Sequence, residues 1–333
     1  VNAAVVPSPV LLDATAPPER RGIARDEVRL LWTERTTGRH SHASFRDLPL
    51  ILRKGDLLVV NDSATIPAAI RAERVNGEGL MIHVATRIDP RIWMAEPRGI
   101  VTSGEELRLP GGGTVVMLAP VEPEHPRLWY AWFGLPETMY AYLTRFGEPI
   151  RYGYITQRFP ISDYQTVFAR EPGSSEMPSA ARPFSRRVLN ELHEREVELT
   201  AITLHCGVAS FESPERPSIE RYTVSPKAAA TINRARNENR RVIAVGTTAL
   251  RAVESAVQLG EVVASSGWTD LVIGRECGVA AVDGLLSGFH SSEATHQWIL
   301  RAFLDSHDLG EAYNEAAQNG YFQHEFGDVH LIV

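Results

Sequence analysis

Cysteine is scarce in this chain: Cys206 and Cys277 are the only two among 333 residues. Neither has a Cys-x-x-Cys partner, so a disulfide framework is excluded, and a cytoplasmic setting with two buried, inert thiols is expected. Long apolar runs are missing too. Nothing approaches the ~18 residues of a membrane span, so no membrane association is expected. The stretch Val1 to Pro18 lacks the basic-then-apolar shape of a secretion signal, and the start at Val1 suggests that leading residues are absent. Positive charge is in deficit, 34 Lys and Arg against 41 Asp and Glu, for a net charge of −7. That balance tilts against a broad nucleic-acid face, which is normally basic. Local clusters such as Arg182, Arg186 and Arg187 read as solvated helix-surface charges.

Several chemical signatures are also lacking. There is no Gly-x-Ser-x-Gly elbow, which argues against a Ser/His/Asp hydrolase. His205, Cys206, Cys277, His290 and His296 are available to a metal, but no His-Glu-x-x-His or Cys-x-x-Cys spacing organises them, and no metal site is expected. Each histidine taken alone reads as a hydrogen-bonded core residue.

What is present is a strand–helix alternation interrupted by a different texture. Leu57 to Val60 is an apolar run suited to a buried strand, and it delivers Asn61-Asp62-Ser63 to its end. From about Ala68 to Ile150, short runs are separated by Gly and Pro turns: Leu80 to Thr86, Ile92 to Glu96, Leu107 to Leu109, Thr114 to Leu118 and Leu128 to Phe133. That pattern predicts a small antiparallel β-barrel or sandwich, with Gly111-Gly112-Gly113 as a plain loop. After Arg151 the alternation resumes, with helices predicted over Arg182 to Arg195 and Ser225 to Asn237, and strands over Thr200 to Leu204 and Leu271 to Ile273. The fold class is therefore α/β, with residues 1–67 and 151–333 forming one domain and residues 68–150 a β-domain inserted into it.

The most informative segment runs from Arg241 to Glu254. Val242 to Val245 is a short apolar strand, Gly246 permits a tight turn, and Thr247 or Thr248 is placed to cap the helix that follows. Free N–H groups at such a helix start, beside two hydroxyls, suit a carboxylate, phosphate or ribose. Other polar clusters fall where strands should end: Thr203-Leu204-His205-Cys206-Gly207, Asp283 through His290, Tyr164-Gln165-Thr166 with the loop Gly173 to Phe184, and His324-Glu325-Phe326-Gly327-Asp328.

Taken together, Arg53 to Asp62, Tyr164 to Ala169, Thr203-Leu204-His205, Ala244 to Thr248, Val282 to Leu286, Gly288-Phe289-His290 and Phe326-Gly327-Asp328 resemble the S-adenosylmethionine:tRNA ribosyltransferase-isomerases of queuosine biosynthesis. The resemblance covers nearly the whole chain. It implies a large α/β, barrel-like domain carrying a smaller inserted β-barrel. It also implies S-adenosylmethionine as a ribosyl-donating co-substrate, with adenine and methionine released. Removing a proton from the ribosyl 5′ carbon, acidified by the sulfonium, needs a base, and the departing adenine needs an acid. Mapped by motif, His205, His290, Asp283 and Asp62 are the candidate catalytic residues. Gly246, Thr247, Thr248, Tyr164, Gln165, Thr166, Pro178 and Ser179 are the candidate co-substrate contacts.

The chain also departs from the family pattern. Asn61 to Ala69 lacks two arginines of the usual Asn-Asp-Thr-Arg-Val-Ile-Pro-Ala-Arg, each suited to phosphate or carboxylate. Glu176 to Phe184 loses the histidine of Ala-Ala-Pro-Thr-Ala-Gly-Leu-His-Phe and gains Glu176 and Arg182. The His-x-Met-His-x-Glu segment is shortened or missing around Ser218 to Tyr222, and Phe-His-Leu-Pro-x-Ser-Thr becomes Phe289 to Thr295. A retained S-adenosylmethionine turn beside altered basic segments leads to the expectation of a small-molecule or nucleoside acceptor. The alternatives are the tRNA enzyme itself, a cofactor lyase or cyclase, and a non-catalytic binding protein.

Overall fold

The computed structural model describes residues 11–208, 218–291 and 296–333. Its centre is four neighbouring parallel strands, Glu198–Leu204, Leu57–Asn61, Val242–Val245 and Gly284–Gly288. They sit within a nine-stranded sheet. Glu220–Val224 and Ser265–Thr269 extend it antiparallel on one side. Val329–Ile332, Arg29–Thr33 and His40–Ser44 extend it on the other.

The central strands are apolar at nearly every position because both faces are covered. Leu57, Val59, Val242, Ala244 and Leu285 pack on one face against the helices Pro226–Asn237, Thr247–Ser255 and Ser306–Gln318. Their neighbours Leu58, Val60, Ile243, Val245 and Leu286 pack on the other, against Val188 and Leu192 of the helix Arg186–Glu194. Each such Leu, Ile or Val contributes roughly 1.5–3 kcal/mol by leaving water. Helix starts are set locally. Ser225 accepts a hydrogen bond from the Ala228 N–H at 3.1 Å, with Pro226 in the first turn where its missing N–H costs nothing.

The inserted texture is a closed antiparallel barrel of six strands, in the cyclic order Thr114–Pro120, Trp129–Gly134, Ile92–Pro97, Gly79–Arg87, Ala69–Glu73 and Glu106–Arg108. Alternation fills it: in Trp129–Gly134 the residues Trp129, Ala131 and Phe133 are buried, with a separate core around them. The chain leaves and rejoins the α/β part side by side, because Ala69 and Glu148 form a bridge with reciprocal N–H···O bonds of 2.9 and 2.8 Å. The α/β architecture with an antiparallel barrel inserted is thus the one observed. No helix among the described residues is long and apolar enough to cross a membrane.

Some local expectations are corrected. Leu271 to Ile273 is not a strand; the sheet edge is Ser265–Thr269, while Leu271 turns away and accepts a bond from Arg251 Nε at 3.0 Å. The helix expected from Arg182 begins at Arg186, because Pro183 lacks a donor and Ser185 caps the Val188 N–H at 3.2 Å. Arg182 itself is 2% exposed, bonded to Glu19 and the Asp163 carbonyl, each at 2.9 Å, so it is a structural cation rather than a solvated one. Cys206 is buried as expected, but Cys277 is exposed.

Candidate active site

The carboxyl ends of three of the central strands, at Cys206 and Gly207, Gly246, and Ser287 and Gly288, open on one cavity of about 190 Å³, walled on the far side by Arg127 of the barrel and by Pro149, Ile150 and Tyr152 beyond it. Outside the ends of parallel strands is where α/β sheets generally hold ligands. Gly246 splices the strand Val242–Val245 to the helix Thr247–Ser255 at φ 92°, a backbone shape that suits glycine. Its N–H donates to the Leu286 carbonyl at 2.8 Å and its carbonyl accepts from Leu250 at 3.2 Å. Neither threonine caps the helix, against the sequence expectation; Thr248 Oγ1 instead accepts from Asn61 Nδ2 at 3.2 Å. The first-turn N–H groups therefore lack a side-chain acceptor at the cavity edge, where the helix dipole favours electron-rich groups.

Of the residues singled out from sequence, Gly246, Thr247, Thr248, Tyr164, Pro178, Ser179 and His290 line this cavity. Gln165 stands behind it, donating to the Thr65 carbonyl at 2.7 Å and accepting from its N–H at 3.0 Å, so it holds a wall residue in place. Thr166 closes a turn by accepting from the Phe168 N–H at 3.3 Å. Two wall hydroxyls, Tyr164 OH and Thr65 Oγ1, are buried without a hydrogen-bond partner among the described residues. Orphaned hydroxyls in a cavity wall fit a polar ligand such as a nucleoside.

The other candidate catalytic residues lie outside the lining. His205 Nδ1 is 2.8 Å from Ser63 Oγ, which receives the Ser174 hydroxyl at 2.6 Å; Ser174 in turn accepts from the Cys206 N–H at 2.9 Å. Ser63 Oγ is also 3.4 Å from the Glu171 carbonyl, so the serine pair ties the His205 ring to the segment Glu171–Ser174. Burial, reinforced by Arg221, holds the His205 pKa down, so the ring is neutral. Asp62 accepts from Thr203 Oγ1 at 2.6 Å, and burial raises its pKa. Asp283 is at the wrong end of its strand: it is exposed and accepts from the Val242 N–H at 2.8 Å, whereas Ser287 and Gly288 reach the cavity. Chain spacing placed it near His290, but a strand of five residues separates the two ends.

Sequence reasoning missed much of the remaining wall. Glu176 and Glu325 both line the cavity, and each accepts a short hydrogen bond from a tyrosine, Tyr152 and Tyr154 respectively. The rings of Tyr152, Tyr154 and His324 form one stack, with centroid spacings of 6.1 and 4.3 Å. Burial pushes the Glu325 carboxyl up to about 7, opposed only in part by the Tyr154 hydroxyl. His290 and His296 stack with centroids 3.7 Å apart, and burial holds both neutral, His296 down to about 4. Arg251 is engaged by Glu220, which also accepts from the Gly207 N–H at 2.8 Å. The available signal was Tyr152-Gly153-Tyr154, two rings on one side of a turn, together with the acidic residue inside His324-Glu325-Phe326. No group of three or more His, Cys, Asp or Glu suited to a metal ion occurs among the described residues.

A family model described as a queuosine biosynthesis protein matches residues 8–332. The chain belongs to this family. Within the queuosine biosynthesis family it is 37% identical over 324 residues to the S-adenosylmethionine:tRNA ribosyltransferase-isomerase of Moorella thermoacetica, covering 93% of this chain and 94% of the relative. The protein of the same name from Thermus thermophilus is 35% identical over 348 residues, covering 96% and 98%. Among solved structures, the S-adenosylmethionine tRNA ribosyltransferase of Thermotoga maritima superimposes with a TM-score of 0.56 at 26% identity, over 98% of this chain and 99% of that one.

Proposed function

We propose that this member of the queuosine biosynthesis family is an S-adenosylmethionine:tRNA ribosyltransferase-isomerase. In this reading the ribosyl part of S-adenosylmethionine passes to a modified base in tRNA, with adenine and methionine released. The observation that carries it is the cavity formed around Gly246-Thr247-Thr248, in a chain whose curated relatives of that name match it almost end to end. The expected small-molecule or nucleoside acceptor finds no support in these relatives. One of the sequence changes that suggested it has a structural explanation: Arg182 is a buried clamp on Glu19, not part of the cavity lining.

Co-substrate contacts are assigned to Gly246, Thr247, Thr248, Tyr164, Pro178 and Ser179, with Gln165 and Thr166 supporting them. His290 remains a candidate for proton transfer at the wall. His205, through Ser63 and Ser174, is reassigned to positioning the segment that carries Thr65 and Ser175. Asp62 steadies Thr203, and Asp283 is removed from the catalytic set. The division into residues 1–67 with 151–333, and 68–150, is supported by the separate barrel core, and a cytoplasmic setting accords with a tRNA substrate.

The test is incubation with S-adenosylmethionine, following adenine and methionine by mass spectrometry, with and without tRNA carrying the 7-aminomethyl-7-deazaguanine precursor. Release that requires the tRNA is expected. Release without it sinks the tRNA assignment, and a bound but unreacted co-substrate would leave only a binding protein.

A further inference from the structure

The charges around the cavity are unevenly distributed. Its two lining arginines are already engaged, Arg251 with Glu220 and Arg127 with Glu96 at 3.3 Å. Its histidines His290, His296 and His324 are all held down by burial, so they bring no positive charge at neutral pH. Glu325 differs: among the described residues it has a tyrosine donor and no cationic partner. Around it are aromatic faces, Tyr152 and His324 from the stack and Tyr164 from the opposite segment, all lining the same cavity. A carboxylate set among electron-rich rings, with neighbouring cations neutralised, is the chemistry that recognises an organic cation.

We propose that Glu325, backed by Tyr154 and flanked by Tyr152, Tyr164 and His324, is a cation-recognition site that makes the cavity select the sulfonium of S-adenosylmethionine over the corresponding neutral thioether. The proposal rests on the reading that this cavity binds S-adenosylmethionine. It adds a direction to the cycle. The donor arrives as a sulfonium, and the electron pair of the broken S–C5′ bond leaves the methionine sulfur uncharged, so the attraction that Glu325 exerts on the sulfonium is lost with the leaving group.

Ionisation makes the site testable. The groups facing Glu325 are Tyr152, Tyr154, Tyr164, Glu176 and His324 with its partner Asp13 at 3.0 Å, with His290 also on the cavity wall. Burial pushes the tyrosines up and the histidines down, in each case away from the range in which Glu325 titrates. A bound cation stabilises the carboxylate form, so preference for the sulfonium strengthens as pH rises through about 7 and fades below it.

The experiment is calorimetric titration of the full chain with S-adenosylmethionine and with S-adenosylhomocysteine, one unit below and one above pH 7, for wild type, Glu325→Gln and Glu325→Asp. Wild type should prefer the sulfonium by roughly tenfold or more on the alkaline side and much less on the acid side. Glu325→Gln should bring the two ligands near parity at both pH values, and Glu325→Asp should restore part of the preference. A folded Glu325→Gln that keeps the wild-type ratio overturns the proposal, as does a wild type that binds both ligands equally. Wild type that binds neither ligand overturns the reading of the cavity itself, and this proposal with it.

Discussion

Asp283 and Glu325 show how far two acidic side chains beside apolar strands can differ. Asp283 accepts the Val242 N–H at 2.8 Å at the start of its strand. Replacing it by alanine should cost about 1–2 kcal/mol through that orphaned donor, with S-adenosylmethionine affinity unchanged; denaturant unfolding and titration check both parts. Glu325 has its folded pKa raised by burial from the ordinary 4.5 to about 7. Below the lower value it is protonated whether folded or not. Between the two, only the unfolded chain ionises, so stability falls as pH rises and the loss is complete above about 7. Glu325→Gln should therefore raise the melting temperature at pH 8 and change it little near pH 4, the alkaline gain being at most about 3 kcal/mol. Neither role was legible in the residues. Sequence spacing shows that Asp283 and His290 are close along the chain, but not that a strand points them to opposite ends.

At the scale of elements, strands that read as apolar runs were recoverable, because covering both faces of a sheet leaves few polar positions to mask them. The edge strand Ser265–Thr269 was not. Its exposed and half-buried positions carry Ser, Gly and Trp, and only its ladder with Glu220–Val224 makes it a strand. The strand–turn–helix unit Val242–Ser255 was legible in outline, though its N-terminal residue proved to be Gly246 rather than a threonine cap. Gly246→Ala meets nothing closer than Ala180 Cβ at 3.5 Å, so its cost is backbone strain at φ 92°, roughly 1–3 kcal/mol. Thermal unfolding should show that loss, and co-substrate affinity should fall with it. Arg251→Met breaks the buried pair that ties this helix to the strand Glu220–Val224 and strands the Glu220 charge. A loss of about 3–5 kcal/mol in denaturant unfolding is expected, largely recovered by adding Glu220→Gln.

For the whole molecule, the net charge of −7 and the proposed tRNA substrate pull in different directions. A chain with this balance must gather its phosphate contacts locally, and each contact releases counterions. Affinity for the tRNA should therefore fall as salt rises, while affinity for S-adenosylmethionine changes much less; titrations over a salt series separate the two. The inserted barrel was readable from its turn spacing, but its closeness to the cavity was not, since nothing in its sequence marks Arg127 as a wall residue. Ala69 and Glu148 lie across one bridge, so both ends of the inserted barrel are anchored within a single strand spacing. Any displacement of the barrel against the cavity must therefore pivot at that neck, which makes Arg127 the wall residue most sensitive to it.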